Sequence, residues 1–306
     1  MTPSQPRDSA WTLIPLRPMA IFVAACAFLL LIAGGLVTST GSGLSVPDWP
    51  LSFGTFFPPM RGGVLFEHGH RLIAGTVALM TLALFLRVRR GGFAGPLRAL
   101  SALALAGILI QAALGGATVL LRLPPAVSVA HACLGEIVFC LLASLADLSS
   151  RQAPAPVSWR QAARPGSLAN WSLLSFTLVF AQVLLGAVLR HTGLLAGWHI
   201  ALGALVFAIM GVTLARATRE RGVKPGAFRT GLFVFSLLPV QIVLGILSFL
   251  AVRSPSFDIG FYGSVALRTA HVACGALVLA GSWLMTIRSC EMTSALGSQP
   301  WTASLL

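Results

Sequence analysis

Four histidines stand at matching places in apolar sequence, where an imidazole is costly to bury without a partner. They are His70 in EHGHRLIAG, His131 in VAHACLG, His199 in GWHIALG and His271 in TAHVACG. A single histidine in such a helix is more often a hydrogen-bonded packing residue than a ligand. Four at matching depth favour metal binding, because neutral imidazole is the commonest metal ligand in proteins.

The surroundings of the four histidines favour haem iron over a bare metal ion. Two imidazoles that face each other across an apolar slot suit a haem iron. Zinc or copper would require further Cys, His or carboxylate ligands nearby, and three of the four places lack them. Three of the histidines have glycine four residues later, on the same helix face, and this small residue would leave room for the macrocycle. The pairs expected are His70 with His131, and His199 with His271.

Carboxylates distinguish the two histidine pairs. Glu67 lies three residues before His70 on one helix face, whereas the four residues before His199 contain no acid. A carboxylate at a membrane boundary is costly to desolvate, so Glu67 either moves protons or pairs with Arg71. Glu136 lies about one turn after His131. It could form a structural hydrogen bond or act in a proton relay, and the sequence favours neither role. The first pair therefore indicates acid–base chemistry and the second indicates electron transfer.

Five arginines lie near the level of the histidines. Arginine is suited to bidentate pairing with carboxylates such as the propionates of haem, although each could equally be an ordinary anchor at the membrane interface. The five are Arg71, Arg122, Arg190, Arg253 and Arg268.

The composition requires these residues to be positioned by membrane helices. The chain has 306 residues, of which 56% are hydrophobic and 9% are charged, and soluble proteins carry about 25% charged residues. A span needs about 20 apolar residues. This predicts an all-α polytopic membrane protein with eight transmembrane helices, at about 19–39, 67–87, 99–121, 128–147, 168–190, 196–215, 229–251 and 265–287.

The charge pattern predicts the orientation of these helices. The formal net charge is +13, but the basic residues are scattered over short loops, which does not favour nucleic-acid binding. Fifteen of the 21 Lys and Arg residues lie at the termini and in the 87–98, 148–167 and 216–229 segments, and six lie on the opposite side. The predominance of positive charge predicts that both termini are cytoplasmic and that the histidines lie near the outer face.

A short repeat divides the chain into two halves. QAALGGA at Gln111, QVLLGAV at Gln182 and QIVLGIL at Gln241 share glutamine followed by Leu-Gly at one offset. We expect two parallel-repeat four-helix bundles, with residues 1–150 for the first, a cytoplasmic linker at 151–164 and residues 165–306 for the second. Bundle interiors commonly hold cofactors between facing helices. Close helix packing alone would account for the glycines of the repeat.

The loop GGLVTSTGSGLSVPDWPLSFG, residues 34–54, is unusually rich in glycine, proline and hydroxyl groups. Glycines 41 and 43 would end the first helix, and prolines 47 and 50 would stiffen the turn at Asp48 and Trp49. The loop is expected either to fold back as a lid over the first histidine pair or to be a plain connection.

This loop, EHGHRLIAG and the four histidines in even-numbered spans resemble the haem A synthase family along essentially the whole chain. The resemblance implies a bacterial inner-membrane oxidoreductase that converts haem O to haem A by successive hydroxylation of a ring methyl group. It implies that His70 and His131 flank the substrate haem, that Glu67 is catalytic and that His199 and His271 bind the iron of haem b. Many members have C-P-D-W-P-L-C in the first loop, but Val46 and Ser52 replace both cysteines here. A thiol pair in this loop therefore cannot act as an electron relay or covalent handle in this protein.

Two other functions fit the same residues. A di-haem cytochrome b that takes electrons from quinol would hold two permanent haems. A haem transporter or chaperone would have no redox turnover, but it would leave Glu67 unexplained. The expected partners of the leading hypothesis are haem O, lipid, an unidentified electron-transfer protein and, through the shared pathway, haem O synthase.

Overall fold

The prediction of eight membrane-spanning helices is confirmed. A computed structural model describes residues 15–93, 95–149, 159–162 and 164–291 of the chain, and within these ranges the regular structure is helical. Eight of the helices are long and apolar enough to cross a membrane. The helices are α1 (Leu16–Ser39), α2 (Gly63–Arg90), α3 (Gly95–Leu120), α4 (Pro125–Ser149), α5 (Trp159–Ala162), α6 (Leu168–Thr192), α7 (Ala196–Arg219), α8 (Pro225–Arg253) and α9 (Gly260–Ser289).

Most of the helices extend a few residues beyond the predicted spans. The additional residues include polar and charged ones, such as Arg89 and Arg90 at the end of α2, which a hydropathy window excludes. The short helix α5 lies in the segment predicted as a cytoplasmic linker, and residues 151–158 and 163 of that segment lie outside the described residues. Residues 1–14 and 292–306, which include the two predicted cytoplasmic termini, also lie outside them.

The long helices form two groups, each with contacts between consecutive members. In the first group α1 packs against α2 and α4, and α3 packs against α2 and α4; in the second group α6 packs against α7 and α9, and α8 packs against α7 and α9. The groups meet where α9 contacts α1 and α4 and where α4 contacts α6. The description of the groups as repeats of one unit, and the boundaries given for them, stay predictions.

Polar side chains join the two groups. The Trp283 indole donates a hydrogen bond to Ser144 Oγ at 2.8 Å, and Arg288 forms an ion pair with Asp147. Both contacts connect α9 to α4. Helix α9 is also the most buried of the eight, with 56% of its most apolar window inside the protein. The hydrophobic core therefore includes residues of all eight long helices, and α9 is its most buried member, packed against α1, α4, α6 and α8.

Candidate functional site

The four histidines lie at one end of the helices, the end that also carries the 40–62 loop. Each stands in the early part of its own helix, and its ring packs against a glycine of the preceding long helix. A β-carbon added at these glycines would lie 2.9 to 3.2 Å from Cε1 of the ring, so a larger residue would displace the imidazole. The pairs are His70 with Gly34, His131 with Gly115, His199 with Gly186 and His271 with Gly245.

The structure brings His199 of α7 and His271 of α9 together. Their ring centroids are 6.4 Å apart and the ring planes are inclined at 73°. Since a metal–imidazole bond is about 2 Å long, this separation has room for one metal atom between the rings. His271 Nδ1 is 3.2 Å from the backbone carbonyl oxygen of Gln241. A proton on Nδ1 leaves the lone pair of Nε2 available for a metal.

His70 of α2 and His131 of α4 lie at the same end of the first helix group, each against a glycine of the preceding helix. Their Nδ1 atoms, like that of His199, are buried and make no hydrogen bond. Buried polar atoms without a partner are rare in native proteins. The described residues therefore leave these three ring nitrogens without the partner that a buried polar atom normally has.

The donor set fits haem. Within the described ranges, no three His, Cys, Asp or Glu side chains converge at metal-binding distance. Two facing imidazoles alone would complete the coordination of an iron whose other ligands come from a macrocycle. The paired geometry of His199 and His271 agrees with that donor set.

Glu67 is buried at the loop end of α2, where it has two charge-assisted contacts. Its Oε2 accepts a hydrogen bond from the Val46 backbone N–H at 2.8 Å, and its Oε1 forms an ion pair with Arg71 at 2.6 Å. The pairing with Arg71 considered from the sequence is therefore present. Its role in proton transfer is not tested by this contact.

Arg71 and His68 tie the 40–62 loop to α2. Arg71 Nη1 donates to the carbonyl oxygens of Asp48 and Leu51, both at 2.7 Å, and His68 Nδ1 is hydrogen-bonded to Ser52 Oγ at 2.8 Å. The loop thus folds back onto the helix that carries Glu67. Arg71 is occupied by these contacts, which weakens its assignment to a haem propionate.

The tip of the loop is held by Asp48 and Trp49. The carboxylate of Asp48 accepts hydrogen bonds from the backbone N–H groups of Gly54 and Phe53 at 2.8 and 2.7 Å. Both bonds lower the pKa of Asp48 from its usual value of 3.8, and the bond from the Gly54 N–H has the larger effect. The Trp49 ring packs on Gly116 of α3, where an added β-carbon would lie 2.7 Å from the ring. The loop therefore also spans from α2 to α3.

The remaining predicted site residues differ in their surroundings. Arg190 Nη2 reaches across to α1, where it donates to Gly35 O at 3.0 Å and Ser39 Oγ at 2.7 Å, and Arg268 Nη1 is 3.4 Å from Ser39 O. Arg253 is exposed and 3.4 Å from Gly193 O, and Arg122 is exposed. In the described part of the chain none of these four arginines forms an ion pair, so their charges remain available to an anionic group.

Glu136 is buried within α4, and its Oε2 has no hydrogen-bond partner among the described residues. Among the described residues, no hydrogen bond to this oxygen supports a purely structural role for Glu136. Its assignment as a proton relay stays a prediction.

Sequence reasoning missed two kinds of residue at this end of the protein. His68 is not among the predicted site residues, but it is a buried residue of α2. The three glutamines of the repeat were noted only for their spacing, yet Gln111, Gln182 and Gln241 lie against the histidine segments. Their fixed offset before a glycine was the available signal, and it was interpreted as helix packing.

Fold and site together define a polytopic α-helical membrane protein with paired histidines suited to haem. The chain belongs to the cytochrome oxidase assembly protein family, whose model matches residues 17–63 and 62–198. The matched part contains Glu67, His70 and His131 and ends just before His199. This membership confirms the family resemblance seen in the sequence.

Several curated relatives carry the name heme A synthase. The chain is 29% identical to that of Bacillus pumilus over 58% of this chain and 59% of the relative, and 29% identical to that of Symbiobacterium thermophilum over 68% and 70%. It is 34% identical to that of a Methylobacterium species over 38% and 36%. The matches therefore span less than two thirds of the Bacillus and Methylobacterium proteins.

Proposed function

We propose that this protein is a haem A synthase that oxidises the ring methyl group of haem O to a formyl group by successive hydroxylation. The observation that carries the proposal is the buried carboxylate of Glu67 beside the first histidine pair, with no acid in the matching segment before His199. The family membership and the names of the relatives support the same activity.

The first helix group would hold the substrate. His70 and His131 would flank haem O, which would enter sideways from the lipid because its farnesyl tail is apolar. Glu67 would accept the protons released as the methyl group is oxidised, while Arg71 and the Val46 N–H fix its position. The loop tied to α2 would act as a lid that excludes water from this pocket.

The second helix group would hold haem b between His199 and His271. Haem b, when bound, supplies a reversible one-electron carrier between the substrate site and an external partner. Arg190 and Arg268, which lack carboxylate partners within the described residues, would pair with its propionates. The electron partner is unidentified, and haem O synthase would be a neighbour because it supplies the substrate.

The cellular placement follows from the same proposal. The eight apolar helices fit a multi-pass protein of the bacterial inner membrane. The arginine-rich side would face the cytoplasm, and the haem sites would lie near the outer face.

The test is expression in a bacterial host that makes haem O but lacks haem A, followed by extraction and mass spectrometry of the pigments. We expect hydroxylated haem O and haem A. Folded protein with verified haem that yields neither product would refute the activity. Two permanent haems b with no converted pigment would instead indicate a quinol-oxidising cytochrome b.

A further inference from the structure

Three glutamines occupy the same place relative to three of the four histidines. The side-chain Nε2 of Gln111 donates to the backbone carbonyl oxygen of His131 at 2.7 Å, and that of Gln182 donates to the carbonyl oxygen of His199 at 2.8 Å. Gln182 Nε2 is also 3.4 Å from His199 Nε2. In the third case Gln241 Nε2 lies 3.4 Å from His271 Nε2.

Each of these glutamine–histidine contacts involves two glycines, one on each of the two helices. The glycine four residues after each glutamine receives the histidine ring, as described above. The glycine four residues after each histidine receives the glutamine amide: a β-carbon added there would lie 3.0 to 3.2 Å from Nε2. These amide-receiving glycines are Gly135, Gly203 and Gly275. The glycines expected to leave room for a macrocycle therefore contact the glutamine amides in this structure.

Each amide also has a cost. The Oε1 atoms of all three glutamines are buried without a hydrogen-bond partner in the described structure. Leaving a buried polar atom unpaired costs about 1–3 kcal/mol. An apolar side chain of similar size would fill the same space without this cost, so space filling alone does not explain a glutamine at three equivalent positions.

The fourth histidine lacks this arrangement. Helices α1 and α2 keep Gly34 against the His70 ring, but Leu30 stands where the glutamine would be and Ala74 stands where the second glycine would be. His70 is therefore the one member of the two pairs that no carboxamide contacts in the described structure.

We propose that Gln111, Gln182 and Gln241 are positioning residues that hold the imidazoles of His131, His199 and His271 in the orientation needed to ligate haem iron. The proposal rests on the function proposed above. For His131 and His199, the hydrogen bond from the amide to the backbone carbonyl oxygen fixes the start of the histidine side chain. For His199 and His271, contact of the amide with the ring limits rotation of the ring. Outer contacts of this kind typically change metal affinity by about 10–100-fold.

The test uses the second pair in the purified, haem-loaded protein. Gln182→Met and Gln241→Met keep the side-chain size and remove the amide donor. We expect haem transfer to excess apomyoglobin to become about tenfold faster, with a changed low-spin EPR signal of the ferric haem and unchanged thermal stability of the apoprotein.

A pair of glycine variants on α7 provides an independent comparison. Gly203→Ala places a methyl group 3.1 Å from Gln182 Nε2, whereas Gly197→Ala, two residues before His199, meets nothing within 4 Å. We expect Gly203→Ala to hasten haem loss and Gly197→Ala to leave it unchanged. If the methionine variants do not fold, this comparison decides the question.

The positioning role is overturned if the folded methionine variants, or Gly203→Ala, lose haem at the wild-type rate and give the wild-type EPR signal. That result would leave the proposed enzyme activity intact. Wild-type protein that binds no haem would overturn both proposals. The two failures are therefore distinguishable.

Discussion

Glu67 has both of its carboxylate oxygens engaged in the loop end of α2, one by the Val46 N–H and one by Arg71. These two contacts hold the carboxylate in one orientation. Replacement of Glu67 by Gln preserves the shape and one acceptor but removes the basic oxygen pair. We expect Glu67→Gln to retain haem and to convert haem O about a hundredfold more slowly or worse, which pigment analysis would measure.

The matched control is Asp258→Asn. Asp258 lies on an exposed loop at the same end and accepts a hydrogen bond from the Gly260 N–H. It should convert haem O at the wild-type rate. Wild-type conversion by Glu67→Gln would remove Glu67 from the chemistry.

Asp48 gives the loop a defined dependence on pH. Its pKa is lowered in the folded loop, so ionised Asp48 stabilises that fold. This contribution is fully present above the ordinary pKa of 3.8 and is lost as the pH falls through the lower pKa of the folded loop. We expect the hydrogen-exchange protection factors of the Phe53 and Gly54 amides to fall on acidification below that pKa.

Asp48→Asn should reproduce the loss at neutral pH, because an amide offers only one acceptor oxygen for the two N–H groups. Asp258→Asn should leave the protection of Phe53 and Gly54 unchanged. Equal protection of these amides in wild type and Asp48→Asn would show that the carboxylate does not stabilise the loop.

The sequence predicted the histidines but not the contacts that orient them. The ion pair of Glu67 with Arg71 was foreseeable because the two residues are four apart on one helix. The contact of Ser52 with His68 joins residues 16 positions apart through a folded loop, and local spacing contains no information on it. Likewise, the pattern Gln-x-x-x-Gly predicts that both residues lie on one face of a helix. It does not predict which side chain of the next helix packs against that face.

At the scale of elements, the loop is held between α2 and α3 by the contact of Trp49 with Gly116. Because an added β-carbon at Gly116 would lie 2.7 Å from the indole, Gly116→Ala should push Trp49 away and loosen the loop. We expect faster hydrogen exchange over residues 46–55 with unchanged helix content by circular dichroism. Gly95→Ala, on the same helix with nothing within 4 Å, serves as the control, and unaltered exchange in Gly116→Ala would refute the contact.

The helices themselves were predictable because long apolar runs have few alternatives in a bilayer. The ends of the helices were harder to predict. Helix α2 begins at Gly63 and α9 begins at Gly260, each several residues before the apolar run from which its span was predicted. The loop shows the complementary limit. Its glycines and prolines predicted a shaped turn, but its anchoring by Arg71 depends on two carbonyl groups that no residue type identifies.

At the scale of the whole molecule, Asp147 and Arg288 join the two helix groups. Asp147 is largely buried and Arg288 is 28% exposed, so partial solvent screening reduces the interaction. We expect a double-mutant cycle of Asp147→Ala and Arg288→Ala to give a coupling free energy of about 1–2 kcal/mol, measured by unfolding in detergent.

The control cycle combines Asp258→Ala with Arg98→Ala, two exposed residues at opposite ends of the helices. Their effects should be additive. Additive effects of Asp147→Ala and Arg288→Ala as well would show that the ion pair does not couple the two groups.

The central position of α9 also has a consequence for biogenesis. Residues of earlier helices, including Ser39, Ser144 and Asp147, find partners on α9. During synthesis they enter the bilayer long before α9 leaves the ribosome, and a lone polar group in hydrocarbon is costly. The native contacts of these residues are therefore completed only after α9 has entered the membrane.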